Sequence, residues 1–453
     1  MPLGPLLLFS IRFKVIKKEI SMDKALMDNY TEILRGELIP AMGCTEPIAI
    51  AFAAAAAGKL LGEEAEHMVI SCSGNMIKNV KAVTVPNSGG QKGIPAAAIL
   101  GLIGGDPDKK LEVITEVTEE ARERTRRLAK EGFCEVKFAE NVPNLYISAI
   151  VRGKEHSAEI RIENSHTNIS LMERDGEVLF QEGEQPKDDT PIPIGDKSLM
   201  DLQGILEYAD SVDLSEVREL LQRQIDMNYA ISQEGLDNVW GACVGKTILE
   251  AFGHDVKSCA CARAAAGSDA RMSGCPLPVV INSGSGNQGI TVSMPIVEYA
   301  KALEVSEQKR FRALIISNLV SIYIKHFIGA LSAFCGAVSA SCGAGAGITY
   351  LSGGDYPRIS KTITNTLANV GGIVCDGAKP SCAAKVASSL HAAILAHHMS
   401  MNDKSFAAGE GIVEDDVEET IRNMGYIGKV GMRPTDREIL NVMTDQVDVK
   451  SCL

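Results

Sequence analysis

The sequence predicts an α+β protein: a mostly α-helical core carrying a smaller α+β module built on an antiparallel sheet. Three observations predict it. Ala- and Gly-rich stretches with helical spacing fill residues 22–105 and 198–453. Between them, residues 106–182 hold a charged amphipathic pattern followed by short runs of alternating character. An acidic segment over 183–197, with Pro186, Pro191 and Pro193, then reads as a linker.

Taken in order, residues 1–21 are apolar at first but lack a basic segment and a small-residue cleavage site. Lys18-Glu19 can be encoded as a ribosome-binding sequence shortly before Met22, so a start at Met22 and a translated leader over 1–21 are expected. Asp23 or Asp28 caps a first amphipathic helix running through Leu38, and Pro40-Ala-Met-Gly43 breaks it. Thr45-Glu46-Pro47 opens an Ala-rich helix, with proline in the first turn where its missing N–H costs nothing. A strand over Met68–Cys72 and a glycine-bearing segment from Ser73 to Gly93 follow.

The module begins with an amphipathic helix, Leu111 to Gly132. Strands are expected at Cys134–Phe138, Leu145–Arg152, His156–Glu163, Thr167–Glu173 and Glu177–Phe180, with turns at Arg152-Gly153-Lys154 and Arg174-Asp175-Gly176. Beyond the linker, helices are expected over Asp213–Tyr229, Leu236–Phe252 and Val305–Phe327, with another between Asp415 and Met443 beside a Gly425, Gly428, Gly431 loop. Small residues in Gly329–Gly347 and Ser381–Ala396 let helices approach closely.

The chain has 453 residues and a net charge of −13. That balance argues against nucleic acid or an anionic membrane as the main partner. The best apolar run, Ile48–Ala57, is too short to span a bilayer and is ended by Lys59. Twelve cysteines without a secretion signal point to a reducing cytoplasm, where thiols pack, attack or bind metal. The oligomeric state is left open, a homo-oligomer included.

One motif occurs twice. Asn87-Ser-Gly-Gly-Gln-Lys-Gly-Ile94 echoes Asn282-Ser-Gly-Ser-Gly-Asn-Gln-Gly-Ile290, each after a β-branched run and before an apolar stretch. A strand, a glycine loop and a helix start make a cradle of N–H donors for an anion; ordinary tight turns give the same pattern. Cys375 and Cys382 flank Asp376-Gly377 and Lys379-Pro380, and Cys382 is expected at a helix start with Ser381 as its cap. Cys335 lies in Ala333-Phe-Cys-Gly-Ala337. No C-x-x-C pair or nearby histidine supports structural zinc. Spacing alone leaves an iron–sulfur cluster, packing thiols and a redox pair open.

From about Met22 to its end the chain resembles the L-cysteine desulfidase family, relatives of the iron–sulfur L-serine dehydratase alpha chain. The residues that carry the resemblance are Gly43-Cys-Thr-Glu-Pro47, Asn87-Ser-Gly89, Ser285-Gly-Asn-Gln-Gly289, Cys335, and Cys375-Asp-Gly with Cys382. It implies a [4Fe–4S] cluster held by Cys335, Cys375 and Cys382 with one open iron, and cleavage of L-cysteine to sulfide, ammonia and pyruvate. Cys44, at the entry to the Thr45-Glu46-Pro47 helix where the dipole stabilises a thiolate, is expected as the base for the Cα proton, with a displaceable fourth cluster ligand as its alternative role. Glu46 would orient the ammonium. Thr45, Asn87, Ser88, Ser283, Gly284, Asn287 and Gln288 would surround the carboxylate. A C-terminal cysteine reaches the open iron in related serine dehydratases, which makes Cys452 a candidate, with a disordered tail as the alternative. The serine dehydratase proper carries a Ser- and His-rich segment where this chain has Gly43-Cys-Thr-Glu-Pro47, which favours cysteine over serine. Cys72, Cys134, Cys243 and Cys342 read as packing thiols. The rivals are the same chemistry on L-serine, a pyridoxal-phosphate lyase, and a non-enzymatic iron–sulfur sensor.

Overall fold

The computed structural model describes residues 22–182, 195–329 and 331–447. The expected leader, most of the linker and Cys452 lie outside the described residues. The first part of the chain runs α1 (Lys24–Glu37), β1 (Pro40–Met42), α2 (Thr45–Leu61), β2 (His67–Cys72), α3 (Gly74–Val80) and α4 (Gly93–Gly104). The module follows as α5 (Glu119–Lys130), β3 (Cys134–Phe138), β4 (Tyr146–Arg152), β5 (Ser157–Glu163), β6 (Ile169–Arg174) and β7 (Glu177–Gln181). Then come α6 (Leu202–Ser211), α7 (Arg218–Asp237), α8 (Val244–Phe252), α9 (Val256–Met272), β8 (Pro278–Val280), α10 (Gly286–Ala302), α11 (Glu307–Ile328), α12 (Gly336–Leu351), α13 (Tyr356–Val370), α14 (Cys382–Met401), α15 (Val417–Tyr426) and α16 (Arg433–Met443). The architecture is α+β and helix-rich.

The larger sheet has six strands in the order β3-β2-β4-β5-β6-β7. It departs from the sequence expectation in two ways. β2, from the first helical stretch, sits inside the sheet, and it pairs parallel with β3. The chain between those two strands travels through α3, α4 and α5, and a helical crossover of that kind delivers a parallel neighbour. The other pairs are antiparallel. Ile147, Ala149 and Val151 of β4 and Ala158, Ile160 and Ile162 of β5 point to one buried face, where α2 packs.

A second, two-stranded sheet pairs β1 antiparallel with β8, Pro40 opposite Val280. This small pairing matters most for function. It sets the start of α2 beside the start of α10, which lie far apart in the sequence.

Several expected helices have different ends. α5 begins at Glu119 rather than Leu111, because the Thr118 hydroxyl caps it by accepting from the Ala121 N–H at 3.2 Å. The helix expected over Leu236–Phe252 is split, with Cys243 at φ +54° just before α8. The Ser73–Gly93 segment contains α3, capped by Ser73. α11 is long and apolar enough to cross a membrane by length and composition, contrary to the sequence expectation; 83% of its apolar window is buried inside the protein, so it is a core helix.

The small residues act as anticipated. α12 packs against α11 and α14, and a Cβ at Gly343 would sit 2.2 Å from the Ser317 carbonyl oxygen. α2 and α4 approach as closely: a Cβ at Gly101 would sit 2.2 Å from the Ala51 carbonyl oxygen and 2.6 Å from its Cα. Backbone cannot yield as a side chain does. Gly101→Ala should therefore lower stability by about 1–3 kcal/mol through overpacking. Chemical denaturation checks this, and an unchanged midpoint would show that the two helices separate without cost.

Candidate active site

Four helices begin at one cavity. Cys44 is the N-cap of α2, Ser285 of α10 and Cys335 of α12, while Cys382 is the first residue of α14. None of these four caps bonds its helix through a side chain, and Ser381 departs from expectation in this respect. Helices that start away from the cavity, by contrast, are capped by the side chains of Asp201, Asp255, Ser306 and Asp355. The inner starts leave backbone donors and the positive ends of four helix dipoles facing the same space. That space favours negative charge. Its volume is about 440 Å³, and Cys44, Cys335, Cys375 and Cys382 all line it.

Local geometry explains how each thiol arrives. A single antiparallel bridge joins Phe334 to Val374. The Cys335 N–H donates to the Ile373 carbonyl at 3.0 Å, and the Cys375 N–H to the Ala333 carbonyl at 2.6 Å. Their thiols thereby lie in hydrogen-bonding contact. The Cys375 loop turns through Gly377 at φ +96°, where a Cβ would stand 2.4 Å from the Lys78 carbonyl oxygen. Asp376 holds the loop by ion pairs to Lys379 at 2.5 Å and to Lys385.

The electrostatics favour one anionic thiol already. The Cys335 hydrogen bond, helped by Lys78 and Lys325, holds Cys375 down at about 6, whereas that same bond and burial push Cys335 well above its ordinary value. Burial raises Cys382. Lys325 is buried and lines the cavity. Lys78 is buried against Asp436 in a 2.5 Å ion pair. The second Asp436 oxygen accepts from the Ala333 N–H at 2.9 Å, which ties this pair to the Cys335 segment.

At the other wall, the Cys44 thiol donates to Glu46 Oε2 at 2.9 Å. Thr45 Oγ1 donates to the same oxygen at 3.2 Å and to the Gly284 carbonyl at 2.9 Å. Asn79 Nδ2 donates to Glu46 Oε1 at 3.0 Å. Burial opposes the Glu46 charge, but His166, the Cys44 thiol and Arg271 outweigh it and keep the carboxyl below its ordinary value. Cys44 differs from its sequence expectation. Burial, then the Glu46 charge, push its thiol well above the ordinary value, and the helix start alone does not make it a thiolate. Cys382 packs against the small cluster that Cys44 forms with Val83 and Met272.

The Ser283–Gln288 loop reaches the cavity as expected: Ser283, Gly284, Asn287 and Gln288 line it. Ser283 and Gly284 are left-handed, and Asn282 anchors the turn by donating to the Asn318 carbonyl at 3.2 Å. Thr45 is not among the lining residues and acts through Glu46 and Gly284. Asn87 and Ser88 lie elsewhere. Asn87 is left-handed where its counterpart Asn282 is not; its amide donates to the Ile114 and Thr115 carbonyls, and Arg122 of α5 donates to the Asn87 carbonyl. Ser88 donates to the Val85 carbonyl at 2.7 Å. The first loop closes on the module, and only the second faces the cavity.

Several lining side chains escaped the sequence reading, Asn79 and Lys325 among them, and two more stand out. His166, from the β5–β6 loop, is 9% exposed, and its Nε2 has no hydrogen-bond partner. Burial holds it below its ordinary value, against the opposing pull of the Glu46 carboxylate. Arg271, near the end of α9, is 2% exposed, and its Nε has no partner.

The donor set fits a polynuclear cluster better than a lone ion. Among the described residues no three His, Cys, Asp or Glu side chains are grouped as ligands of a single metal ion. Cys335, Cys375 and Cys382 instead line one cavity together with the buried Lys325, at the starts of α12 and α14. An iron–sulfur cluster takes each thiolate on a different iron, and its net negative charge suits that surrounding.

A family model described as serine dehydratase alpha chain matches residues 108–441. A UPF0597 protein of Lachnoclostridium phytofermentans is 53% identical over 412 residues, covering 91% of this chain and 98% of that protein. One of Finegoldia magna is 46% identical over 421 residues, covering 93% of this chain and all of its own length (100%). One of Treponema denticola is 43% identical over 431 residues, covering 94% and 99%.

Proposed function

Because the chain belongs to the serine dehydratase alpha chain family, which is of lyase type, we propose that it is a [4Fe–4S]-dependent β-elimination lyase converting L-cysteine to sulfide, ammonia and pyruvate. The observation that carries this reading is the meeting of Cys44 with Cys335, Cys375 and Cys382 in one cavity built from both ends of the sequence.

Cys335, Cys375 and Cys382 would hold the cluster, with Lys78 and Lys325 offsetting its negative charge. When bound, such a cluster with one open iron supplies a thiophilic Lewis acid for the departing sulfur. Everything else falls to the protein. The Glu46 carboxylate, ionised and already holding the Cys44 proton in a hydrogen bond, accepts the substrate ammonium. That cation supplies the positive charge that ionisation of a thiol beside a carboxylate needs. The Cys44 proton moves along its hydrogen bond onto Glu46 Oε2, and the buried thiolate left behind, of raised basicity, takes the Cα proton. The Cα–H electron pair forms the Cα=Cβ bond, and the Cβ–S pair leaves with sulfur. The aminoacrylate so formed tautomerises and hydrolyses to pyruvate and ammonia in water. The reading places the protein in a reducing cytoplasm, with a small amino acid as its partner.

The same chemistry on L-serine is the second reading. Anaerobically purified protein should contain iron and sulfide and should release sulfide from L-cysteine with a kcat/KM above that for ammonia release from L-serine. Protein that stays iron-free after anaerobic reconstitution would remove the cluster from the proposal. A kcat/KM favouring L-serine would replace the substrate and keep the reaction class.

A further inference from the structure

We propose that Arg271 is the anchor for the α-carboxylate of the substrate, held in orientation by Asn287; this rests on the amino-acid lyase reading above. Four observations place it. Arg271 is almost fully buried at 2% exposure and lines the cavity. Its hydrogen bond to a side chain is a single one, from Nη1 to Asn287 Oδ1 at 3.1 Å, and its Nε has none. Among the described residues no carboxylate forms an ion pair with it, although other buried or half-buried cations are paired, Lys78 with Asp436 and Arg263 with Glu298. Finally, Gly286 leaves room for it: a Cβ there would stand 2.2 Å from Arg271 Nε and 2.8 Å from Cζ.

An arginine cannot shed its charge as a buried lysine can. A guanidinium with five N–H donors, out of water and without a counter-charge, is costly unless an anion completes it. The cavity is where that anion belongs. A planar carboxylate matches the guanidinium fork with two parallel hydrogen bonds, and Asn287 fixes the plane of the fork at the start of α10. The helix start adds backbone donors on the same side. Glu46 lies on the same side of the cavity and influences Arg271 electrostatically without pairing with it. The two charges are thus arranged as a zwitterion demands, cation for carboxylate and anion for ammonium, with the thiols facing the remaining substituent. The consequence is selection for a free α-amino acid. A thiol amine without a carboxylate, or an ester, would leave the guanidinium unpaired.

The test is a thermodynamic cycle between protein and ligand, read by calorimetry on the anaerobically reconstituted full chain. L-Cysteine and cysteamine, which lacks the carboxylate, are titrated into the wild type at position 271, Arg271→Lys and Arg271→Gln, each carrying Cys44→Ala so that L-cysteine is bound without being cleaved. Wild type should prefer L-cysteine by about 100-fold, the worth of a bidentate charge-assisted pair. Arg271→Gln should lose most of that preference while binding cysteamine as the wild type does. Arg271→Lys should retain part of it, since charge remains but the fork does not. Equal affinity of the wild type for both ligands would overturn the anchor without any variant being folded. Equal losses for both ligands in Arg271→Gln would also overturn it, leaving the lyase reading intact. A wild type that binds neither L-cysteine nor L-serine would overturn the lyase reading and the anchor with it.

Discussion

Replacing Cys375 by alanine should abolish cluster binding and reduce sulfide release to background. Cys375 is the thiol most ready to ionise among the three, held at about 6 by its hydrogen bond to Cys335 and by two buried lysines. A thiolate already favoured by the protein ligates without a proton-loss penalty. Its removal also leaves Lys78 and Lys325 facing two thiols, both pushed towards the neutral form. The fold should survive, because the backbone bond from the Cys375 N–H to Ala333 and the Asp376 ion pairs do not involve the side chain. Iron and labile sulfide analysis after anaerobic reconstitution reads the outcome, with circular dichroism to show a folded chain. Cys342→Ala is the control. Cys342 is buried in α12, is not among the cavity's lining residues, and should keep full iron content. Stoichiometric iron in Cys375→Ala would sink the ligand assignment.

The parts of this site that could be read in the sequence are those with a local physical cause. Thr45-Glu46-Pro47 announces a helix start, so Cys44 is placed at an N-cap before any coordinates exist. The Pro380-Ser381-Cys382 step does the same for α14. The five strands of the module were legible from alternation and turn residues, because half-buried strands must alternate. What failed was decided at a distance. Both loops turn through left-handed residues, Asn87 and Gly89 in one, Ser283 and Gly284 in the other; whether such a turn faces α5 or a cavity depends on the elements packed beside it. The parallel pairing of β2 with β3 depends on a crossover whose direction no single segment encodes. Arg271 and His166 carry no motif. A charged residue in Ala270-Arg271-Met272, at the end of a small-residue helix, was the available hint of burial for the first. Nothing in Asn164-Ser-His-Thr167 marks the second. The lowered thiol expected for Cys44 failed for a physical reason of the same kind. The helix start is local, but the burial and the Glu46 oxygen that outweigh it belong to the folded cavity.

Replacing Cys44 by alanine should separate catalysis from cofactor binding. If the thiol is the base for the Cα proton, kcat falls by about 10²–10⁴-fold, the usual worth of a positioned general base. KM should change little, because Arg271, Asn287 and Glu46 remain to hold the zwitterion. Iron content and the visible absorption of the cluster should match the wild type, since Cys335, Cys375 and Cys382 are untouched. Loss of activity alone does not identify a base, so proton exchange supplies the second readout. L-Alanine has the same Cα–H and no leaving group; in D₂O the wild type should wash out its α-proton, followed by NMR, and Cys44→Ala should not. Iron lost together with activity would make Cys44 a cluster ligand instead. Undiminished exchange in a variant with an intact cluster would move the base elsewhere in the cavity, and His166, whose buried Nε2 has no hydrogen-bond partner, lines the same cavity and would be the next group to replace.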